Sequence, residues 1–138
     1  MAEQQNVIFK LDSVEYGIDI LQVSEIVKMQ PITKMPNTPV YVDGVINLRG
    51  SVIPIIDLKV KFNLELKERD EHTRIIVVNV KTMTLGIVVD EVAEVIRINN
   101  EQIDDSSNIS AQINEDYIQG VAKVENRLII LLNLEKIF

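Results

Sequence analysis

The sequence predicts an all-β fold of two small barrels packed over a shared hydrophobic core. Three observations carry that prediction: apolar and polar residues alternate with the two-residue period of strands, β-branched runs meet at tight turns, and one unit of sequence occurs twice.

Taken in order, Val7, Phe9 and Leu11 alternate with polar neighbours, and Val14, Tyr16, Ile18 and Ile20 do so against Glu15, Gly17 and Asp19. The turn formers Asp12 and Ser13 lie between the two runs, so residues 7–20 read as a hairpin. Val23, Ile26 and Val27 then fall at i, i+3 and i+4, the spacing of one short amphipathic helical turn. Residues 29–39 (MQPITKMPNTP) hold three of the four prolines, which withdraw backbone donors and restrict their predecessors, giving an edge strand or a shaped loop. Val45–Leu48 and Val52–Ile56 form a second hairpin about Arg49-Gly50-Ser51, with Gly50 suited to a positive φ. The stretch ELKERDEHTR, residues 65–74, is the most polar in the chain and marks the junction between units.

The repeat then fixes the architecture. Residues 16–27 (YGIDILQVSEIV) match residues 85–96 (LGIVVDEVAEVI) at an offset of 69, with Gly17/Gly86, Ile18/Ile87, Val23/Val92 and Glu25/Glu94 identical. Residues 41–62 match residues 117–138 at an offset of 76, so the second copy carries seven more residues in its polar 99–116 connection. Gly50 corresponds to Asn126, and both residue types enter the left-handed region readily. A unit of this size with about five strands supplies a core worth only about 3–5 kcal/mol, so two units are expected to be cemented together. The division is expected near residues 1–66 and 67–138, with terminal strands free to be exchanged between barrels. The apolar turns Val23/Ile26/Val27 and Val92/Val95/Ile96 are candidates for the seam or for an external groove.

Composition excludes several classes of function. The 138 residues are 46% hydrophobic and 25% charged, unlike a disordered chain, and 14 basic against 21 acidic side chains give a net charge of −7. That balance argues against nucleic acid and anionic membranes as partners. With no cysteine there is no disulfide or thiolate chemistry, and with neither a signal segment nor an apolar run of membrane-spanning length the chain is expected in the cytoplasm.

No catalytic pattern emerges. The single histidine, His72, sits among charged neighbours, and neither GxSxG, GxGxxG nor GxxxxGK[ST] is present. Glu101, Asp104, Asp105, Glu115 and Asp116 lack the spacing of a calcium loop, so no metal and no cofactor is expected. An acidic dyad at Asp104 and Asp105 is the rival enzymatic reading. With 4% aromatics and no tryptophan there is little to stack on a sugar or a nucleobase. The repeat breaks its symmetry where Asn47-Leu48-Arg49-Gly50 becomes Lys123-Val124-Glu125-Asn126, which marks Arg49 as a group that pairs with Glu25 or with a partner's carboxylate.

The blocks YGIDILQVSEI (16–26), GVINLRGSVIPIIDL (44–58), LGIVVDEVAEVI (85–96) and YIQG with LIILLNLEKI (117–137) together closely resemble the CheW family of bacterial chemotaxis coupling proteins, over nearly the whole chain. The resemblance implies two SH3-like barrels and a non-catalytic adaptor that links chemoreceptor cytoplasmic domains to the regulatory domain of the histidine kinase CheA at membrane-associated arrays. It places Val23, Ile26, Val27, Val92 and Val95 in a receptor groove, and coupling contacts at Gly44, Asn47, Arg49 and Gly50, with Glu25 as the ionic partner of Arg49. It further implies a protein that is monomeric when isolated and free-standing, rather than a CheV-type fusion or part of CheA, and that lacks the longer C-terminal helix of many relatives. A peptide-binding adaptor outside chemotaxis is the alternative function.

Overall fold

The computed structural model describes residues 3–104 and 115–138. Eleven strands and two single-turn helices follow in the order β1 (Glu3–Leu11), β2 (Val14–Asp19), β3 (Val23–Lys28), β4 (Val42–Leu48), β5 (Ser51–Asp57), α1 (Leu58–Lys61), β6 (Arg74–Val80), β7 (Met83–Val89), β8 (Glu91–Asn99), β9 (Ile103–Asp104), β10 (Ile118–Val124), β11 (Arg127–Leu132) and α2 (Leu134–Ile137). They form two mixed sheets, β3-β6-β7-β5-β4 and β8-β1-β2-β11-β10-β9.

Neither sheet is built from one copy of the repeat. The β1–β2 hairpin of the first copy lies between β8 and β11 of the second, and the β6–β7 hairpin of the second lies between β3 and β5 of the first. The copies have traded hairpins reciprocally. Each guest hairpin joins its host through one antiparallel and one parallel ladder, Tyr16 against Ile130 and Ile55 against Gly86 being parallel pairs.

Side-chain alternation sorts the core into three clusters. Ile46, Leu48, Ile53, Ile55, Ile75, Val77 and Val88, with Val27, come from all five strands of the first sheet, which must curl to bring them together. In the second sheet Ile8, Ile98, Ala122, Ile129 and Leu131 come from β1, β8, β10 and β11, and the partly buried Ile103 of β9 packs against them. Between the two barrels lies the largest cluster, which takes Val7, Phe9, Leu11, Tyr16 and Ile18 from one hairpin and Ile76, Val78, Val80, Leu85, Ile87 and Val89 from the other. The exchanged hairpins are thus buried on both faces, which accounts for uninterrupted apolar runs such as Ile75–Val78 in place of strict alternation. Each large apolar side chain so buried contributes about 1.5–3 kcal/mol before the entropy of ordering it, so the five from the first hairpin place much of the favourable burial at the junction of the copies. The same packing explains the glycines shared by both copies: a Cβ at Gly17 would lie 2.9 Å from Leu131, and one at Gly86 would lie 2.7 Å from Ile55 and Ile75.

Two local expectations are corrected. Val23–Lys28 and Glu91–Asn99 are strands, not helical turns. A bulge between Val23 and Glu25 resets the alternation, so Val23 stands opposite Val78 and Ile26 opposite Ile76 on the same face, and the equivalent bulge in β8, between Val92 and Glu94, aligns Val92 with Phe9 and Val95 with Val7. An i, i+3 spacing on one face, read as helical, is the signature of a bulged strand here. The nearby helical turn is a 3-10 segment at Ile20–Gln22, capped by the Asp19 carboxylate. In the turn at 125–126 the residue with positive φ is Glu125 (56°), matching Arg49 (51°), and Asn126 is not left-handed.

Hairpin exchange predicts a single folding unit. Ile75→Ala in the first barrel and Ile8→Ala in the second should each cost about 2–5 kcal/mol and shift one common urea transition. Two resolved transitions by far-UV circular dichroism would show that the barrels unfold separately.

Candidate protein-docking site

β3 and β8 occupy equivalent positions in the repeat, and each is the outermost strand of its sheet. On β3, Val23 touches the central cluster, Val27 packs against the core of the first barrel, and Ile26 is 40% exposed. On β8, Val92 touches the central cluster and Val95 is 47% exposed. By register Ile26 shares a face with Ile76, and Val95 with Val7, so each exposed aliphatic is a step from the central core to solvent. Branched aliphatics on a free strand edge are surfaces that proteins ordinarily blunt with charge.

Of the remaining sequence-predicted residues, Glu25, Asn47, Arg49 and Gly50 gather at the β4–β5 turn, whereas Gly44 lies towards the other end of that hairpin, opposite Ile55. Gly44 is buried at a bulge with φ 148°, where a Cβ would come within 2.3 Å of the Thr33 carbonyl oxygen, and the backbone of Thr33 exchanges two 2.9 Å hydrogen bonds with Val45. Its role is to let residues 29–39 run against β4. The Asn47 side-chain oxygen accepts a 2.9 Å hydrogen bond from the Gly50 amide and so fixes the turn. Arg49 holds a left-handed φ, a conformation costly for a non-glycine residue, and its guanidinium donates to the Glu25 carboxylate on β3. The turn is thereby tied to the edge strand, and Arg49 nevertheless remains 69% exposed.

The equivalent carboxylate of the second barrel, Glu94, also finds an arginine, from another place in the turn. Arg127, which corresponds to Ser51, lies 3.4 Å from Glu94 and makes a bidentate pair with Glu15 at 3.0 and 2.7 Å. Glu15 corresponds to Thr84. Where Arg127 and Glu15 fill the end of the second barrel, Ser51 and Thr84 leave a hollow of about 300 Å³ at the end of the first, bordered by Glu25 and Arg49. Sequence reasoning noticed the change from Arg49 to Glu125 and missed its compensation by Arg127, although the repeat alignment carried that signal. Exposed Val52 and Leu128 are likewise equivalent, one beside each turn.

Among the described residues no group of three or more histidine, aspartate or glutamate side chains could hold a metal ion. Asp104 pairs with Lys123 at 2.7 Å, and Asp105 lies outside the described residues. No helix among the described residues is long and apolar enough to cross a membrane.

The hydrogen bonds from Arg127 hold the Glu15 carboxyl below the usual glutamate range. A carboxyl that ionises more readily in the folded state stabilises fully above its unfolded pKa of about 4.3, and this share is lost as pH falls through the lower folded value. Arg127→Met should therefore reduce urea stability at about pH 6 and flatten its decline below about pH 4.3. An acid limb identical to that of the parent protein would show that the pair contributes nothing.

A family model described as a CheW-like domain matches residues 5–138. The chain is 41% identical to the chemotaxis protein CheW of Klebsiella aerogenes over 134 residues, 97% of this chain and 81% of that protein. It is 38% identical to CheW of Treponema pallidum, with the same coverage of both. The crystal structure of the scaffolding protein TtCheW from Thermoanaerobacter tengcongensis superposes with a TM-score of 0.91 at 37% identity, covering 100% of this chain and 89% of that one. The exchanged hairpins, the two barrels and the sequence blocks thus find their place together: the chain belongs to the CheW-like family.

Proposed function

We propose that this protein is a chemotaxis adaptor without catalytic activity of its own, which joins chemoreceptor cytoplasmic tips to the histidine kinase CheA in the cytoplasm. The observation that carries the reading is the symmetric pair of edge strands, β3 and β8, whose exposed aliphatics extend the central core to the surface in a chain of this family. A helical receptor tip laid against Val23, Ile26, Val92 and Val95 gains about 25 cal/mol per Å² of apolar surface buried, offset by the cost of association, which suits reversible docking.

Kinase docking falls to the barrel ends, where the regulatory domain of CheA offers a CheW-like fold. There the turns carry opposite charges, Arg49 on the first barrel and Glu125 on the second, each beside an exposed aliphatic, Val52 or Leu128. Opposed turn charges favour a barrel end meeting the unlike end of a related fold and penalise like ends. Glu25 keeps Arg49 extended towards that surface. Transmission of receptor state requires the assembly to bind the kinase's two activity states unequally, since equal affinity shifts no population.

Reconstitution tests this reading. Kinase activity of CheA should come under the control of a receptor fragment only when this protein is added. Val92→Glu should abolish pull-down by the receptor fragment with the folded circular dichroism spectrum retained; undiminished binding by that variant would remove β8 from the receptor surface. Arg49→Glu should weaken kinase coupling, whereas alanine at both Asp104 and Asp105 should leave it intact. Loss of coupling in the alanine variant would favour the acidic-dyad reading, and a chain that binds other peptides but no receptor fragment would be an adaptor outside chemotaxis.

A further inference from the structure

The chain holds five arginines, and three of them meet a carboxylate: Arg49 at Glu25, Arg69 at Asp43 and Asp57, and Arg127 at Glu15 and Glu94. The other two, Arg74 and Arg97, form no ion pair with any described residue, and Arg74 donates only to the carbonyl oxygens of Glu71 and Thr73 at 2.8 and 2.9 Å. Both belong to the docking strands. Arg74 stands on β6 directly opposite Lys28 of β3, and Arg97 stands on β8 opposite Gln5 of β1. Strand alternation puts Arg74 on the face of Ile76 and Val78, so Lys28 shares the face of Ile26, and the same count puts Arg97 on the face of Val95. Lys28 and Arg97 are equivalent at the offset of 69 and both are exposed. In each copy, therefore, the aliphatic residue that carries the central core to the surface is followed two residues on by a cation. Like charges directly opposed across a ladder work against folding, and no described carboxylate pairs with Lys28 or Arg74 to relieve them. A chain of net charge −7 thus shows a positive rim beside each exposed aliphatic.

We propose that the helix docking on β3 and β8 is amphipathic with acidic flanks, carrying a glutamate or aspartate one turn from each apolar residue that seats on Ile26 or Val95. The inference rests on the edge strands being the receptor surface and specifies what a receptor tip served by this protein must carry there. Same-side residues of a strand lie about 6.6–6.8 Å apart and a helical turn rises about 5.4 Å, so a helix lying along either strand sets successive turns over Ile26 and Lys28, or over Val95 and Arg97. Over the first of these a carboxylate meets Lys28 and Arg74 together and offsets their repulsion, which makes the β3 rim the stronger of the two. A lysine or arginine at the same place of the helix would face like charge, so the rims reject a wrong partner as well as favour the right one. The net charge of the whole molecule pulls the other way, towards basic partners, so the selection is made at contact.

The probes are two fluorescein-labelled, stapled helical peptides that share a leucine stripe and differ only in whether glutamate or lysine stands one turn from each leucine. Titrated with the full-length protein at about 0.15 M salt and followed by fluorescence anisotropy, the glutamate peptide should bind about tenfold more tightly than the lysine peptide. A general attraction to an acidic protein would give the opposite order. In the double variant Lys28→Gln/Arg97→Gln the preference should fall to about threefold or less with the folded circular dichroism spectrum retained, whereas Lys28→Arg/Arg97→Lys, which keeps both charges, should preserve it. A lysine peptide bound as tightly as the glutamate peptide, or a preference unchanged in the glutamine variant, would overturn the inference and leave the docking surface standing. Val92→Glu tests that surface itself and should lose both peptides. A parent protein that binds neither peptide, or a Val92→Glu variant that still binds both, would remove the edge strands as a docking surface and the inference with them.

Discussion

The reciprocal exchange of the β1–β2 and β6–β7 hairpins is the constraint on which the rest of the molecule depends. Each barrel is completed by strands that belong, in sequence, to the other, and the exchanged hairpins meet across the central cluster. The largest share of apolar burial therefore sits at the junction of the copies and not inside either one. A close-packed junction of this kind resists continuous deformation, so the edge strands β3 and β8 are held at a fixed separation and angle.

Duplication also supplies every surface twice, and the two copies have diverged at their exposed rims. Glu25 and Glu94 keep the same place, yet one is met by an exposed arginine in a left-handed turn and the other by an arginine drawn into a bidentate pair with Glu15. The first arrangement leaves a guanidinium accessible at the open end of a barrel; the second shuts the end and stitches β2, β8 and β11 together. Folding requires only that the buried residues of both copies agree. Chemistry at the rims is free to differ, and it does.

Much of this was legible in the residues. Two-residue alternation located the first hairpin, β-branched runs about Arg49-Gly50-Ser51 located the β4–β5 hairpin, and the self-match of Gly17 with Gly86 and Glu25 with Glu94 established two copies. The aliphatic residues of β3 and β8 were recognisable as exceptional, although their spacing suggested a helix. A bulge and a helical turn both bring residues i and i+3 to one side, and nothing local to Val23–Val27 separates them; the difference is made by the ladder to β6, which lies far along the chain.

The sequence by itself determined the all-β class, the duplication and the aliphatic character of the edge strands, since these are properties of near neighbours and of self-similarity. Only the tertiary structure decided that the hairpins are exchanged and that Glu94 is met by Arg127 rather than by a group at the place of Arg49. Those outcomes rest on contacts such as Arg127 to Glu15, 112 residues apart in sequence, and pairings at that range are selected by the summed burial of the whole core. No window of the chain contains both members of such a pair, so no local rule could have chosen between them.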